Sequence, residues 1–357
     1  MSTSPEAVPV ADELYQEAGG GTIRSSCWVI AKASLGEYDP SCLRREERLI
    51  GAPAKGEVIV KTMLMSLDPT TRNWLTLKPE LMFIPLAVGD VMVGSGLGTV
   101  VASADPGFAV GDLVTGMWGW EEYSKVTGTW LEKHSAASLI PATAYLSLFS
   151  HVGRAAAIGI LEVAQTRPAD TVVVSGAAGA TGSIAVQLAK RLGCKVIAIA
   201  GGQEKCTYTV DKLKADFAID YKSEDVCVRL AELCPSGVNV YFDNVGGPVL
   251  DAVLVNMAVG CRIALCGAMS QYNLASPEQV HGIKNLPMLL FKRAKIEGYV
   301  VPDFAAVMQR FDDALRDLYS EGTLELREHV LKGLDSAPEG VRLLFSGENQ
   351  GKLIVRI

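Results

Sequence analysis

The sequence has few residues that could bind a metal ion. Histidine occurs four times in 357 residues, and no histidine stands in a Gly-His-Glu context. The eight cysteines are scattered, and no two of them have Cys-x-x-Cys spacing. Zinc sites use such clusters, so we predict that the protein holds no metal. Cys194, Cys261 and Cys266 lie within apolar runs, which favours buried free thiols in a reducing, cytoplasmic compartment.

A surplus of positive charge and long apolar segments are also missing. The formal net charge is −7, which argues against nucleic acid or an anionic membrane as a partner. No apolar run reaches the roughly 18 residues that a membrane span requires. Residues 1–20 lack the basic and apolar regions of a secretory signal. We therefore expect no membrane or nucleic-acid partner, and a flexible leader at residues 1–20.

Two regions of the chain have different patterns of secondary structure. From about residue 141, apolar stretches such as 171–174, 194–200 and 238–242 alternate with helical patterns. This alternation is typical of an α/β domain with a doubly wound parallel sheet, covered by helices on both faces. The first 140 residues have short strands between glycine, proline and aspartate, which favours an irregular β-rich domain. The strand-like stretch 351–357 is expected to rejoin that β-rich domain.

A glycine-rich loop lies between the first strand and the first helix of the α/β region. Gly176, Gly179 and Gly182 have the spacing Gly-x-x-Gly-x-x-Gly, and the residues between them are mostly alanine. Small residues at such a turn allow a pyrophosphate to approach the amides at the start of the helix. A purely structural turn is the alternative. The position of the loop in a parallel α/β unit favours nucleotide binding.

The end of the second strand indicates which nucleotide is bound. NAD sites usually place an acidic residue there for the ribose hydroxyls, but this strand ends in Ala200-Gly201-Gly202. Lys205 follows and could reach a 2′-phosphate, which favours NADPH. Glu204 is an unfavourable neighbour, because a carboxylate pointed inward would repel that phosphate. The alternative for Lys205 is a solvated lysine at the start of a helix.

Several motifs occur in order from about residue 65 to the C-terminus. They are Met65–Arg72 (MSLDPTTR), Ala178–Ser183 (AGATGS), Ala200–Cys206 (AGGQEKC), Ile219–Lys222 (IDYK), Tyr241–Gly247 (YFDNVGG), Cys266–Asn273 (CGAMSQYN) and Asn349–Lys352 (NQGK). On these residues the sequence resembles the zinc-independent medium-chain dehydrogenases/reductases, specifically the prostaglandin reductase-like and curcumin reductase-like NADPH-dependent double-bond reductases. The resemblance implies a GroES-like, β-rich catalytic domain at 21–140, completed by 325–357, around a Rossmann NADPH-binding domain at 141–324. Many members are homodimers.

The resemblance also implies roles for individual residues. The pyrophosphate would bind Gly179, Ala180, Thr181 and Gly182. Lys205 and Tyr221 would hold the 2′-phosphate end, Asn244 the nicotinamide ribose region, and Asn349 would close the site. Residues expected to line the nicotinamide are Cys266, Gly267, Ala268, Met269, Ser270, Tyr299, Val300 and Val301. Tyr272 would be the catalytic residue, hydrogen-bonded to the cofactor ribose or to the substrate carbonyl.

Two departures from the family pattern bear on the substrate. The family usually has Asp-Pro-Tyr-Met-Arg where this chain has Thr70 and Thr71 before Arg72, and a Thr-Ala-Tyr stretch is expected to be replaced by Ala155-Ala156-Ala157. Both would give a differently shaped substrate pocket.

We expect neither a metal ion nor an acid/base pair of side chains in this protein. The cofactor must then carry the reaction. Hydride addition to the β-carbon of an α,β-unsaturated ketone or aldehyde suits such a site, with a hydroxyl or water stabilising the oxyanion. Oxidoreduction of quinones or allylic alcohols is a second possibility. A catalytically silent NADPH-binding protein is a third.

Overall fold

The structure, a computed structural model, describes residues 21–78, 84–135 and 140–357. The predicted leader at residues 1–20 lies outside the described residues. The chain divides into two compact units. One comprises the chain up to Leu146 together with Val330–Ser346 and Leu353–Ile357, and the other comprises Ser147–His329 and Gly347–Lys352. No helix within the described ranges is both long enough and apolar enough to span a membrane.

The described residues form strands and helices with the following bounds. The strands are β1 (Thr22–Ile30), β2 (Leu43–Gly51), β3 (Glu57–Leu67), β4 (Val93–Ser103), β5 (Leu113–Gly119), β6 (Tyr123–Thr127), β7 (Leu131–His134), β8 (Thr171–Ser175), β9 (Lys195–Ala200), β10 (Phe217–Asp220), β11 (Val238–Asp243), β12 (Met257–Leu265), β13 (Lys295–Gly298), β14 (Glu328–Lys332) and β15 (Lys352–Arg356). The α-helices are Thr71–Leu75, His151–Ala157, Ala180–Arg191, Gln203–Asp211, Val226–Leu233, Gly247–Val255, Met288–Lys292, Met308–Ser320 and Ala337–Ser346, and Ile158–Val163 is a π-helix. The 3₁₀ helices are Pro40–Cys42, Gly128–Trp130, Ala142–Tyr145, Met269–Gln271, Pro277–Gln279, Val301–Val307 and Leu334–Ser336.

The first unit is β-rich, as predicted. Its larger sheet has the strand order β14-β15-β3-β4-β5-β7, with β6 also paired to β3, and β1 pairs with β2. The antiparallel pairing of β15 with β3 matches Leu353 to Leu67 and Arg356 to Leu64. The predicted return of the C-terminal strand to the β-rich region is therefore confirmed. The pairing is strong because β15 is buried on both faces except at its last residue.

The threonine departure of the family motif lies at the start of a short helix in this unit. Thr71 is buried and begins the helix Thr71–Leu75. The next residue, Arg72, is fully buried, and its guanidinium donates to the carbonyls of Ser34 (2.8 Å) and Gly36 (2.6 Å). Burial lowers the pKa of Arg72. Arg72 therefore anchors the segment from Ser34 to Gly36.

The second unit contains a six-stranded parallel sheet in the order β10-β9-β8-β11-β12-β13. Its central strands are buried along nearly their whole length, because helices cover both faces, and this explains why they are apolar throughout. The predicted doubly wound sheet is confirmed. The chain runs outward from β8 to β10 and then returns to β11, so the order of strands reverses between β8 and β11. Ligands of such folds bind outside the carboxyl ends of the strands at this reversal.

Two details of the sequence interpretation need correction. The first helix of the sheet region begins at Ala180 and not near Ser183, because the small residues of the glycine loop can adopt helical geometry directly after Gly179. The Thr-Ala-Tyr stretch is present as Thr143-Ala144-Tyr145 in a 3₁₀ helix. Ala155–Ala157 instead ends a helix that begins at His151, inside the second unit. The expected replacement by Ala155–Ala157 was therefore wrong.

Candidate functional site

The glycine loop follows β8 directly and leads into the helix Ala180–Arg191. Gly179 is the residue before the helix, and no side chain caps the helix start. The first amides of a helix have no acceptor within the helix, and no acidic residue lies in this first turn. A Cβ on Gly182 would collide with the carbonyl oxygen of Gly176, so the helix approaches the loop as closely as it does only with glycine there. Such a helix start has backbone amides that could bind an anion.

The loop after β9 is held by an acidic residue that the sequence interpretation left without a role. Asp220, at the end of β10, accepts from the amides of Gly202 (2.8 Å) and Lys222 (3.0 Å). The hydrogen bond from Gly202 is the main cause that lowers the pKa of Asp220. The ring of Tyr221 lies against Gly201, where a Cβ would come within 2.8 Å of it. The two glycines therefore make room for Tyr221 and supply an amide to Asp220.

Lys205 lies in the first turn of the helix after β9, among other charged side chains. Its Nζ donates to the Gly347 carbonyl (2.8 Å). Burial lowers the pKa of Lys205, and the positive charges of Lys222 and Arg327 lower it further. Lys222 and Arg327 therefore lie within electrostatic reach of Lys205, and so does the carboxylate of Glu204. The predicted 2′-phosphate site requires a surplus of positive charge here, so the position of that carboxylate matters.

Glu204, the unfavourable neighbour, is paired with a distant arginine. Its Oε1 lies 2.8 Å from Nη2 of Arg327 and accepts from Nε2 of Gln350 (3.0 Å). Arg327 also donates to the side-chain oxygen of Gln350. Sequence reasoning missed Arg327, because 123 residues separate it from Glu204 and no motif includes it. Gln350 belongs to the Asn349–Lys352 motif but was given no role.

The segment 347–352 runs past both of these sites. Gly351 forms a parallel bridge with Gly179 of the glycine loop. Nδ2 of Asn349 donates to the carbonyl of Gly351 (3.1 Å), so the predicted Asn349 lies close to the glycine loop. This segment groups with the second unit although it was expected within 325–357. It connects the glycine loop to the cluster around Lys205.

Asn244 and the buried Asp243 follow β11, next to the strand reversal. The Asn244 amide group donates to the carbonyl of Ser175 (2.7 Å), which leaves its side-chain oxygen as the remaining acceptor. Four donors converge on Oδ1 of Asp243, from Ser175 (3.1 Å), Tyr241 (2.7 Å), Val245 (2.8 Å) and Gly246 (2.8 Å). Burial nevertheless raises the pKa of Asp243. Asp243 thus fixes the turn that carries Asn244.

The predicted nicotinamide loop, 266–272, is tied to this turn by backbone hydrogen bonds. The amides of Cys266 and Gly267 donate to the Asp243 carbonyl (2.8 and 3.0 Å), and the amide of Met269 donates to the Asn244 carbonyl (3.1 Å). Ser270 Oγ donates to the Val245 carbonyl (2.6 Å). The structure therefore brings this loop beside Asn244, as the resemblance implies.

Tyr272 folds back over its own loop. Its hydroxyl oxygen accepts from the amide of Ala268 (3.3 Å), which leaves the hydroxyl proton for another acceptor. Burial raises the pKa of Tyr272, and burial raises that of the Cys266 thiol to about 11. Both groups are therefore neutral near pH 7.

Tyr299 is held in the interior by contacts of its hydroxyl. Its hydroxyl donates to the Ala155 carbonyl (2.7 Å) and lies against Gly159 of the π-helix, with the Cys266 thiol beside it. Val300 and Val301 come next, partly exposed, at the start of a 3₁₀ helix. Tyr299 therefore supports the loop from behind, and its hydroxyl is already used by the protein.

The part of the chain that the structure describes contains no visible set of metal ligands. Across residues 21–78, 84–135 and 140–357, no group of three histidine, cysteine, aspartate or glutamate side chains is placed to hold a metal ion.

Comparisons with known proteins agree with this geometry. The family model described as the N-terminal domain of oxidoreductase matches residues 26–134, and the one described as zinc-binding dehydrogenase matches residues 180–318. The NADPH-dependent curcumin reductase of Escherichia coli K12 is 33% identical over 339 residues, which cover 94% of this chain and 97% of that protein. The NADP(+)-dependent 2-alkenal reductase of Nicotiana tabacum is 40% identical, over 84% of this chain and 87% of that protein.

A solved structure is similar in fold over nearly the same length. CurA of Vibrio vulnificus in complex with NADPH matches with a TM-score of 0.87 and 33% identity, covering 93% of this chain and 98% of that one. Sequence relatives and structural neighbour thus agree across almost the whole chain. The protein belongs to the medium-chain dehydrogenase/reductase family of NADPH-dependent double-bond reductases.

Proposed function

We propose that this protein reduces the C=C bond of α,β-unsaturated ketones or aldehydes with NADPH. The observation that carries the proposal is the arrangement at the carboxyl edge of the parallel sheet. Three features lie at this edge. They are the amides at the start of the helix Ala180–Arg191, the cations around Lys205, and the loop that carries Tyr272. The similarity to a curcumin reductase and a 2-alkenal reductase supports the same chemistry.

The side chains and amides of the second unit fit NADPH. The amides of Ala180, Thr181 and Gly182 would bind the pyrophosphate at the helix start. Lys205 and Tyr221 would hold the 2′-phosphate end, and the side-chain oxygen of Asn244 would accept from a ribose hydroxyl. Asn349, anchored on Gly351 beside the glycine loop, would close this part of the site. We assign NADPH binding to this unit.

Bound NADPH would supply the hydride that adds to the β-carbon of the substrate. The chain's own part is to orient the reactants and to stabilise the charge that develops on the carbonyl oxygen. Tyr272 keeps its proton because its pKa is raised, and its hydroxyl would donate that proton in a hydrogen bond to the oxyanion or to the ribose. The Ala268 amide fixes the position of the hydroxyl oxygen. A neutral Cys266 adds no competing nucleophile.

Steady-state oxidation of NADPH with a panel of substrates tests the proposal. We expect turnover with a simple enone and an alkenal, a saturated carbonyl product, and no turnover with the matched saturated ketone. Preference for quinones, or oxidation of allylic alcohols without enone reduction, would favour the second enzymatic function. NADPH binding without turnover of any of these compounds would favour the silent binding protein.

We also propose that the reaction needs no metal. Dialysis against a strong chelator should leave the turnover number unchanged, and elemental analysis should find no stoichiometric zinc. Activity that returns only when zinc is added would contradict this proposal.

We also propose that the protein is a homodimer and that it is located in the cytoplasm. Leu290 and Phe291 are exposed apolar side chains that lie just before β13, the last strand at one edge of the sheet. Exposed apolar residues beside an open sheet edge are typical of a subunit interface. All eight cysteines are free, which suits a reducing compartment. Light scattering should give twice the chain mass, and a monomer at micromolar concentration would contradict the dimer.

A further inference from the structure

Glu204 occupies the region where NAD-binding folds place their acidic residue. In such folds a carboxylate near the end of the second strand accepts hydrogen bonds from the ribose hydroxyls, and it would repel a 2′-phosphate. Glu204 lies four residues after the end of β9, in the first turn of the helix Gln203–Asp211, and is the neighbour of Lys205. Its side chain is 68% exposed. A free Glu204 could therefore turn toward the ribose and oppose the cofactor that Lys205 attracts.

Arg327 prevents this by holding the carboxylate. Its guanidinium is 2.8 Å from Glu204 and is only 26% exposed. The guanidinium also lies over the ring of Tyr208, 5.0 Å from its centroid, and donates to Gln350. Stacking on a ring and two acceptors fix a planar guanidinium in one orientation. Gln350 adds a second hydrogen bond to the same carboxylate oxygen (3.0 Å).

The backbone of Arg327 ties this contact to the glycine loop. Its carbonyl accepts from the amide of Lys352 (2.8 Å), next to the bridge between Gly351 and Gly179. Replacing the arginine side chain leaves this backbone hydrogen bond in place. The role of the side chain can therefore be separated from the role of the backbone.

We propose that Arg327 is a specificity-determining positioning residue, which with Gln350 neutralises and holds Glu204 so that the 2′-phosphate of NADPH can bind beside Lys205. The inference rests on the proposed function, because it takes NADPH as the cofactor. Arg327 acts through Glu204 and not as a direct ligand of the phosphate.

Calorimetric titration of the apoprotein with NADPH, NADH and adenosine 2′,5′-bisphosphate tests this. In Arg327→Met, the Glu204 carboxylate is unpaired and should weaken the binding of NADPH and of the bisphosphate by about 5- to 10-fold. NADH should bind as tightly as in the wild type, or more tightly. Glu204→Gln should bind NADPH at least as well as the wild type. The double variant Glu204→Gln/Arg327→Met should return to within about 3-fold of Glu204→Gln, because the charge that needed neutralising is gone.

Arg316→Met is the matched control, since it removes an exposed ion pair with Asp313 elsewhere in the same unit. It should leave all three affinities unchanged. A double variant as weak as Arg327→Met would mean that Arg327 binds the phosphate directly. Equal losses of NADPH and NADH in Arg327→Met would mean a structural role. Either result overturns the inference, whereas a wild-type protein that prefers NADH overturns the proposed function itself.

Discussion

The loop after β9 and the loops after β11 and β12 lie at the same edge of the sheet but are built from opposite kinds of side chain. Lys205 and Glu204 after β9, and Arg327, which pairs with Glu204 from just before β14, are charged and partly exposed. Asp243, Cys266 and Tyr272 after β11 and β12 are withdrawn from water, and burial raises the pKa of each. The first region can distinguish ligands by charge. In the second region Cys266 and Tyr272 stay neutral near pH 7, and Asp243 accepts the hydrogen bonds that fix its turn. We therefore assign cofactor affinity and the stabilisation of the developing charge to different parts of one edge of the parallel sheet.

The largest expected effect tests the neutral region. Tyr272→Phe keeps the ring and removes the hydroxyl, and the loss of one oxyanion donor typically lowers turnover by about 10²- to 10³-fold. Single-turnover stopped-flow oxidation of NADPH with a simple enone measures this step. The dissociation constant of NADPH should hardly change.

Tyr319→Phe is the matched control, because that ring packs against Phe149 in a helix away from the loop. A loss in Tyr272→Phe below about tenfold, together with weaker NADPH binding, would show that the hydroxyl only positions the ribose, since a neutral hydrogen bond is worth about 0.5–1.5 kcal/mol. An unchanged rate of NADPH oxidation and an unchanged affinity for NADPH would show that Tyr272 takes no part in the site.

The next largest effect tests the charged region. A charge-assisted hydrogen bond from Lys205 is worth about 1.5–3 kcal/mol, so Lys205→Ala should weaken NADPH by about 10- to 100-fold. NADH should be affected little. Lys195→Ala is the control, because Lys195 likewise donates to a backbone carbonyl, that of Leu233 (2.7 Å), at the opposite end of β9. Equal losses of NADPH and NADH would contradict the 2′-phosphate role.

The smallest expected effect is on the pH dependence of the chemical step. The raised pKa of Tyr272 lies above its ordinary value of 10.0, so the donating form persists to that pH and is lost only as the pH rises beyond it. The turnover number with an enone should therefore be flat across neutral and mildly alkaline pH. The decline above it should be absent in Tyr272→Phe. A midpoint near neutrality in the wild type would show that a different group supplies the proton.

The sequence predicted the two architectures and the general position of the site. Continuous apolar strands between helices indicate a parallel sheet, and parallel strands place all their carboxyl ends at one edge. The structure brings together the glycine loop, Lys205, Asn244 and the loop that carries Tyr272, which follow β8, β9, β11 and β12. The start of the helix at Ala180 was missed, because alanine and glycine carry no distinct capping signal.

Long-range side-chain contacts were beyond the reach of the sequence. Nothing in the local pattern around Arg327 indicates that it pairs with Glu204 or packs on Tyr208. The hydrogen bond from the Tyr299 hydroxyl to the Ala155 carbonyl, 144 residues away in the sequence, is a second example. Beyond the end of a strand, the direction of a side chain depends on the residues that pack against it in the folded chain.

Composition and local pattern by themselves determined the parallel sheet, the β-rich unit, the glycine loop and the candidate lysine. These features depend on hydrophobic periodicity and on the small size of glycine and alanine, which act over a few residues. Tertiary structure alone decided that Glu204 is neutralised, that the segment 347–352 joins the glycine loop, and that the hydroxyl oxygen of Tyr272 accepts from the Ala268 amide. Charge pairing and burial depend on which distant residues come together, and only the folded chain specifies that.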